Sequence, residues 1–306
     1  MPATLRGGVI GAGVFGGYHA RQYANAAGAT LAAVFDPHGD RAQAVAERHG
    51  GRGFTDLDAF LAAVDVVTVA SPAIHHADGA VAALVAGKPI YVEKPLAVSL
   101  SDADRIIGEA SRRKLVVACG HQERVVFQAI GLFDIPEQPL RLEAVRHGPE
   151  SERSLDVSVV LDLMIHDLDL ALSICSGEPM TAEGEGTQAY SGGWDQARAE
   201  VSFDNGFSAI FDASRMAPDR KRTMKIVYPS GELEIDFNTR AFRNTTGYPL
   251  NAEFAETAGF KDPLGASVAG FLAAVRGTAP RPIVTPEEAA RALDLGLAVE
   301  RALEAG

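Results

Sequence analysis

From residue 5 to residue 119, short apolar runs alternate with stretches whose apolar positions recur at helical spacing. Residues 5–10 predict a strand, 15–26 a helix, 30–35 a strand and 41–49 a helix. The run 64–70 is almost wholly apolar, the pattern of a central parallel strand covered on both faces. A helix is expected over 76–86 and is broken by Gly87-Lys88-Pro89. Strand 90–92, helix 101–113 and strand 115–119 complete the series. Strands alternating with helices in this way build a doubly wound, mainly parallel α/β sheet.

Beyond residue 121 the pattern changes. One helix is expected over 159–175, followed by β-type runs at 199–203, 207–214, 223–228 and 232–237. Asp204-Asn205-Gly206 and Pro229-Ser230-Gly231 are tight-turn signals, so these strands are joined by turns and form an open, largely antiparallel sheet. Helices return at 265–276 and 285–304, the latter opened by Thr285-Pro286-Glu287-Glu288, an N-cap, a first-turn proline and acids for the dipole. The expectation is a dinucleotide-binding domain over 1–120 and an α+β substrate-binding and oligomerisation domain over 121–306. The closing helices are free to pack back on the first domain.

The bulk chemistry narrows the class of partner. A chain of 306 residues accommodates two cores, and a hydrophobic share of 47% with 22% charged residues is that of a folded enzyme. A formal charge of −12 argues against nucleic acid and anionic membrane as partners, so an anionic substrate needs a local basic patch. Cys119 and Cys175 lie in apolar surroundings without metal-ligand spacing, which predicts buried reduced thiols, a cytoplasmic location and no metal. No secretory leader and no run approaching ~18 apolar residues is legible.

Glycines 11, 13 and 16, with Val14 and Phe15 in the loop, follow the first strand and open the first helix. The first glycine permits a tight turn, the second lets a diphosphate approach the backbone, and the third lets helix and sheet pack closely. Asp36 ends the second strand twenty residues after Gly16, where an acid takes the adenosine ribose hydroxyls and repels a 2′-phosphate. The expected cofactor is therefore NAD rather than NADP, with Arg41 the residue that weighs the other way. Ser71 and His76 follow the third long strand, at the end that faces a ligand crevice, and His76 reads equally as a helix-capping residue. Glu93-Lys94-Pro95 ends the next strand. The proline holds Lys94 out of helical geometry, and an X-Pro bond can be cis. A lysine there can donate to a substrate oxygen and exchange a proton. Glu93 is expected to help place the nicotinamide.

The second chemical signal is Asp162-Leu163-Met164-Ile165-His166. On an α-helix the acid and the imidazole stack on one face, and a carboxylate held against an imidazole fixes its tautomer and raises its basicity. A general base at a hydroxyl needs that arrangement, although a helix-capping Asp followed by a core histidine has the same spelling.

GAGVFGGYHA at 11–20, AGKPIYVEKPLA at 86–97 and DLMIHDLDLAL at 162–172, in that order, closely resemble the Gfo/Idh/MocA family of sugar and cyclitol dehydrogenases. The resemblance covers essentially the whole chain. It implies a Rossmann domain followed by an α+β domain whose open sheet packs on another subunit, as a homodimer or homotetramer. It implies hydride transfer between nicotinamide and a ring carbinol, with Lys94 as the catalytic lysine, Pro95 as the usually cis proline, and Asp162 and His166 contacting the reacting sugar. His76 matches a histidine common in the family, whereas Ala73 departs from the asparagine many relatives carry. Gly120-His121-Gln122-Glu123-Arg124 and DLMIHDLD resemble the branch acting on nucleotide sugars, the UDP-N-acetylglucosamine 3-dehydrogenases above all. That branch forms a 3-keto sugar, which an aminotransferase can carry towards lipid A. Glu123 and Arg124 then lie against sugar or nicotinamide, or form an ordinary ion pair between the domains. The diphosphate would fall to Arg146, Arg153 or the cluster Arg220-Lys221-Arg222, with Arg153 favoured. Whether Lys94 or His166 takes the proton stays open. The rival readings are a dehydrogenase of free sugars or cyclitols, an NAD-using glycosidase or epimerase that returns its hydride, and a non-catalytic NAD-responsive regulator.

Overall fold

The computed structural model describes residues 3–150 and 155–305. The chain divides into two compact units, residues 1–122 with 262–290 and residues 123–261 with 291–306.

The first unit contains β1 (Leu5–Ile10), α1 (Val14–Asn25), β2 (Ala29–Phe35), α2 (Gly39–His49), β3 (Arg52–Phe54), α3 (Leu57–Ala63), β4 (Val66–Val69), α4 (His76–Val85), β5 (Ile90–Val92), α5 (Leu100–Arg113) and β6 (Val117–Cys119). Its six strands are all parallel, in the order β3-β2-β1-β4-β5-β6. The chain reverses its direction of travel between β1 and β4, and a crevice opens there beyond the carboxyl ends of the strands. All four residues of β4 are buried, as a strand covered on both faces requires.

The second unit contains α6 (Glu123–Ile130), β7 (Arg141–His147), α7 (Ile165–Ile174), β8 (Pro179–Thr187), β9 (Gln196–Phe203), β10 (Ser208–Ser214), β11 (Lys221–Tyr228), β12 (Gly231–Asp236), β13 (Phe242–Asn244) and α8 (Ala258–Lys261). Its seven strands run β13-β12-β11-β7-β10-β9-β8. Only β7 and β10 pair in parallel, and every other neighbour is antiparallel. Along β9 exposed and buried positions alternate strictly, so one face is packed and the other is open. The Asn205-Gly206 signal is realised as the β9–β10 hairpin, with Gly206 at φ +86°.

One expectation about this unit is corrected. The helix read over 159–175 is not uniform, because Val160–Met164 forms a π turn before α7 begins. The Ile165 amide donates to the Val160 carbonyl, five residues back.

Two further helices close the chain. In the first unit α9 (Pro263–Val275) is capped by Asp262, whose side chain accepts from the Gly265 amide. It buries Leu264, Val268, Phe271 and Leu272 against Tyr23 and Tyr91. Tyr91 and Ser267 share a hydrogen bond of 3.0 Å, and Gln22 donates to Asp262 at 3.0 Å. A ring buried as fully as Phe271 contributes about 3–5 kcal/mol. The last helix, α10 (Pro286–Ala305), starts in the first unit and ends in the second.

Candidate active site

In the first unit the turn from β1 into α1 is built to receive an anion. Gly11 has φ +100°, and a Cβ at Gly16 would stand 1.8 Å from the Gly11 carbonyl oxygen. Gly13 caps the helix and offers no side chain, and no acid lies in the first turn. The first amides of α1 are therefore left to a ligand, and around Gly13 there is open space for at least 4 Å. Gly13, Val14 and Phe15 are all exposed.

Asp36 is buried at the end of β2. Its carboxylate accepts from the Ala12 amide at 2.8 Å and the His38 amide at 2.9 Å, which ties the glycine loop to the second strand. Each oxygen keeps a lone pair for a ribose hydroxyl. A cavity of about 490 Å³ opens beside it, lined by Gly11, Asp36, Arg41, Ser71, Pro72 and His75 among others. The buried Ser71 hydroxyl has no hydrogen-bond partner among the described residues. An orphaned hydroxyl and a buried acid around one cavity, with uncapped helix amides on the adjoining glycine loop, suit an adenosine diphosphate.

At the end of β5, Lys94 is half-buried while every other residue from 90 to 97 is buried. The Lys94–Pro95 bond is cis. Its neighbours are held from inside the fold. Glu93 is 5% exposed and accepts from His19 Nε2 at 2.6 Å and from Gln122 at 3.3 Å. Burial works to raise the Glu93 pKa, but the His19 hydrogen bond, aided by the charges of His19 and Lys94, outweighs it and holds the carboxyl below its ordinary value. The carboxylate is engaged within the unit by these two partners.

His76 is likewise buried and engaged. It is 2% exposed, with Nδ1 2.7 Å from the Pro95 carbonyl oxygen and Nε2 2.9 Å from that of Ser71. Each ring nitrogen faces a carbonyl oxygen. Burial pushes its pKa down, assisted by Lys94 and opposed by the two carbonyls and Glu93. A neutral ring donates to one carbonyl at a time, and its tautomer decides which.

In the second unit the segment 157–172 is buried at every position except Asp162, Leu163 and His166. A helix apolar nearly all round is a core element, and here its single opening presents an acid and an imidazole. The π turn lies within this opening, and π turns recur at functional sites because the extra residue shifts the register of the side chains that follow.

Glu123 and Arg124, expected near the substrate, both form ion pairs within the second unit. Arg124 donates twice to Asp169, at 2.7 and 2.8 Å, and the pair is 8% and 0% exposed. Glu123 receives Arg222 and, at 3.4 Å, Arg146, which also donates to Asp167 at 2.7 and 2.8 Å. Burial works to raise the Glu123 pKa, but the two guanidinium charges outweigh it and hold the carboxyl low. Arg222 also lies 4.8 Å over the Phe237 ring. Arg146 and Arg222 are thus engaged with carboxylates, whereas Arg220 and Lys221 are exposed. Arg153 lies outside the described residues. His19, the inner partner of Glu93, escaped the sequence reading. Its only sign was its place three residues after Gly16 on the buried face of α1.

Among the described residues no group of three or more His, Cys, Asp or Glu side chains could hold a metal ion, and no helix is long and apolar enough to cross a membrane.

Comparison with known proteins agrees with this architecture. Residues 5–121 match the family model described as oxidoreductase family, NAD-binding Rossmann fold, and residues 138–234 match the Gfo/Idh/MocA C-terminal domain. The chain is 37% identical to the UDP-N-acetylglucosamine 3-dehydrogenase of Acidithiobacillus ferrooxidans, over 98% of this chain and 99% of that one. A crystal structure of that enzyme superposes with a TM-score of 0.87 at 34% identity, covering 100% of this chain and 99% of that chain. The inositol 2-dehydrogenase of Paracoccus denitrificans is 33% identical over 55% of this chain and 53% of its own. This chain belongs to the Gfo/Idh/MocA family of oxidoreductases, and its cofactor is NAD.

Proposed function

We propose that this protein oxidises the C3 hydroxyl of UDP-N-acetylglucosamine to a 3-keto sugar. The observation that carries the reading is the end-to-end similarity to a dehydrogenase of that substrate in a chain whose segment 157–172 is open only at Asp162, Leu163 and His166. The His166 imidazole, oriented by Asp162, accepts the hydroxyl proton. The Lys94 ammonium donates to the same oxygen and steadies its developing negative charge. Bound NAD supplies the hydride acceptor. Gly11, Gly13, Val14, Phe15, Gly16, Asp36 and Ser71 hold it, through backbone amides at the diphosphate and through the acid and hydroxyl at the ribose. Arg153 meets the sugar-nucleotide diphosphate. The protein acts as a homodimer or homotetramer assembled on the open face of the seven-stranded sheet, in the cytoplasm. Its keto product suits an aminotransferase step towards lipid A.

The test is NADH absorbance with NAD, UDP-N-acetylglucosamine and a carbonyl trap. Absorbance should rise with this substrate and stay flat with free N-acetylglucosamine and myo-inositol, and NMR of the trapped product should place the carbonyl at C3. A rise with inositol alone would transfer the reading to cyclitols, which the inositol dehydrogenase relatives favour. Substrate consumed without net NADH would point to internal redox.

A further inference from the structure

We propose that His19 and His76 are positioning residues for Lys94, each gripping one of its two chain neighbours, His19 through the Glu93 carboxylate and His76 through the Pro95 carbonyl. The inference rests on reading Lys94 as the group that holds the reacting oxygen. A lysine carries a flexible four-carbon stem, so its ammonium is only as well aimed as the backbone that bears it. Here that backbone is a short turn at a strand end, and its two sides are fixed from two different helices.

On one side, His19 projects from the buried face of α1 and meets Glu93 Oε1 at 2.6 Å, with Gln122 on the same oxygen. A carboxylate placed this deep in a fold is costly unless it is paired, so it stays only where something holds it. The space for it is built in, since a Cβ at Gly120 would stand 2.8 Å from Glu93 Oε2. On the other side, the ring of His76 at the start of α4 spans the Pro95 and Ser71 carbonyl oxygens, at 2.7 and 2.9 Å. The imidazole therefore lies between the turn after β5 and the turn after β4, which carry Lys94 and Ser71, and in the tautomer with Nδ1–H it donates to Pro95. His19 further joins the lysine turn to the helix whose first amides face the diphosphate. The ring of Tyr91, 5.0 Å from that of His19, backs the arrangement from the core.

The test compares His19→Leu and His76→Leu with the conservative His19→Gln and His76→Gln, whose amides can still donate. In the NAD-free protein, acetylation of Lys94 by acetic anhydride is followed by peptide mass spectrometry, with Lys114 as internal reference. Lys94 should label about threefold faster in the leucine variants, as a side chain released from a fixed orientation does, and at the parent rate in the glutamine variants. In turnover, kcat should fall by about tenfold to a hundredfold in the leucine variants and recover in the glutamine variants, while KM for NAD stays within about threefold. Parent-like labelling and parent-like kcat in folded leucine variants overturn the proposal. So does a loss of kcat that the glutamine variants share in full. Should a leucine variant fail to fold, His19→Asn and His76→Asn, with amides too short to span the gap, are read in its place. If the parent turns over no sugar, the activity reading fails by itself and the labelling still decides the brace.

Discussion

Replacing glycine by alanine at position 16 and at position 13 makes one chemical change twice, three residues apart, and the two should fail in different ways. At Gly16 the new Cβ would stand 1.8 Å from the carbonyl oxygen and 2.9 Å from the carbonyl carbon of Gly11. Both are backbone atoms, so a strand end or a helix must shift by more than an ångström to reach ordinary contact. Modest overpacking costs about 1–3 kcal/mol, and a clash this deep against backbone belongs at or above the upper end. At Gly13 nothing lies within 4 Å and φ is −76°, which any residue adopts. The entropy gained by stiffening the unfolded chain, about 0.4–1 kcal/mol, offsets the poorer capping by alanine. Stability should then move by less than about 0.5 kcal/mol. The methyl group would nevertheless stand where a diphosphate approaches, and NAD should bind at least about tenfold more weakly, or 1.4 kcal/mol. Urea unfolding reads the first quantity and calorimetric titration with NAD reads the second. A Gly13→Ala protein that binds NAD like the parent would refute the docking of the diphosphate on this loop. A Gly16→Ala protein of parental stability would refute the close approach of α1 to the Gly11 carbonyl.

Lys94→Ala and His166→Ala should each lower kcat by about 10²–10⁴ while calorimetry finds NAD affinity nearly unchanged, and near-parental turnover removes that residue from the chemistry. Arg124→Met should cost about 3–5 kcal/mol in urea unfolding, because it takes the arginine from a fully buried Asp169, whereas Arg124→Met with Asp169→Leu should recover most of the loss. Additive single effects in that cycle would show that the pair is not coupled. Glu93 and Glu123 both titrate below the ordinary value of 4.5 in the fold, so the stability they confer is present above that pH and is lost as pH falls through their lower values. The urea midpoint should therefore fall on acidification from pH 5, and Glu123→Gln should fall less steeply than the parent. An equal slope in the two proteins removes Glu123 from the account.

Much of the architecture could be read in advance because its signals are local. β1 and β5 occupy the expected residues, and the glycine loop, Asp36 and the Lys94-Pro95 turn all stand at the ends of parallel strands. Elements with weak local signals were missed. β8 spells Pro-Met-Thr-Ala-Glu-Gly-Glu-Gly-Thr, with few apolar residues, since an edge strand with much of its length exposed needs few. β3 has only three residues, one of them glycine. The π turn leaves no mark in composition, because it is a property of hydrogen-bond spacing. Burial of the polar residues was also illegible. Glu93 reads as a group facing a ligand, His76 equally as a helix cap and Arg124 equally as an ion-pair partner, and the sequence does not name the partners they meet, which lie far away in sequence or on another element. A motif tells which residue types a site requires, but not which of them touch the ligand and which support those that do.

The first unit is assembled from two separated stretches of chain, and this bears on how the protein is made. Val268, Phe271 and Leu272 of α9 belong to the same core as Tyr23 and Tyr91. A ribosome completes the whole cofactor sheet, and then most of the second unit, before it delivers the helix that finishes the first core. Unlike a simple two-bead protein, whose leading domain can fold as soon as it emerges, this one must keep a nearly finished nucleotide fold waiting with an apolar face uncovered. A fragment ending at residue 122 would freeze the protein at that unfinished stage, with every cofactor motif present and one wall of the core missing.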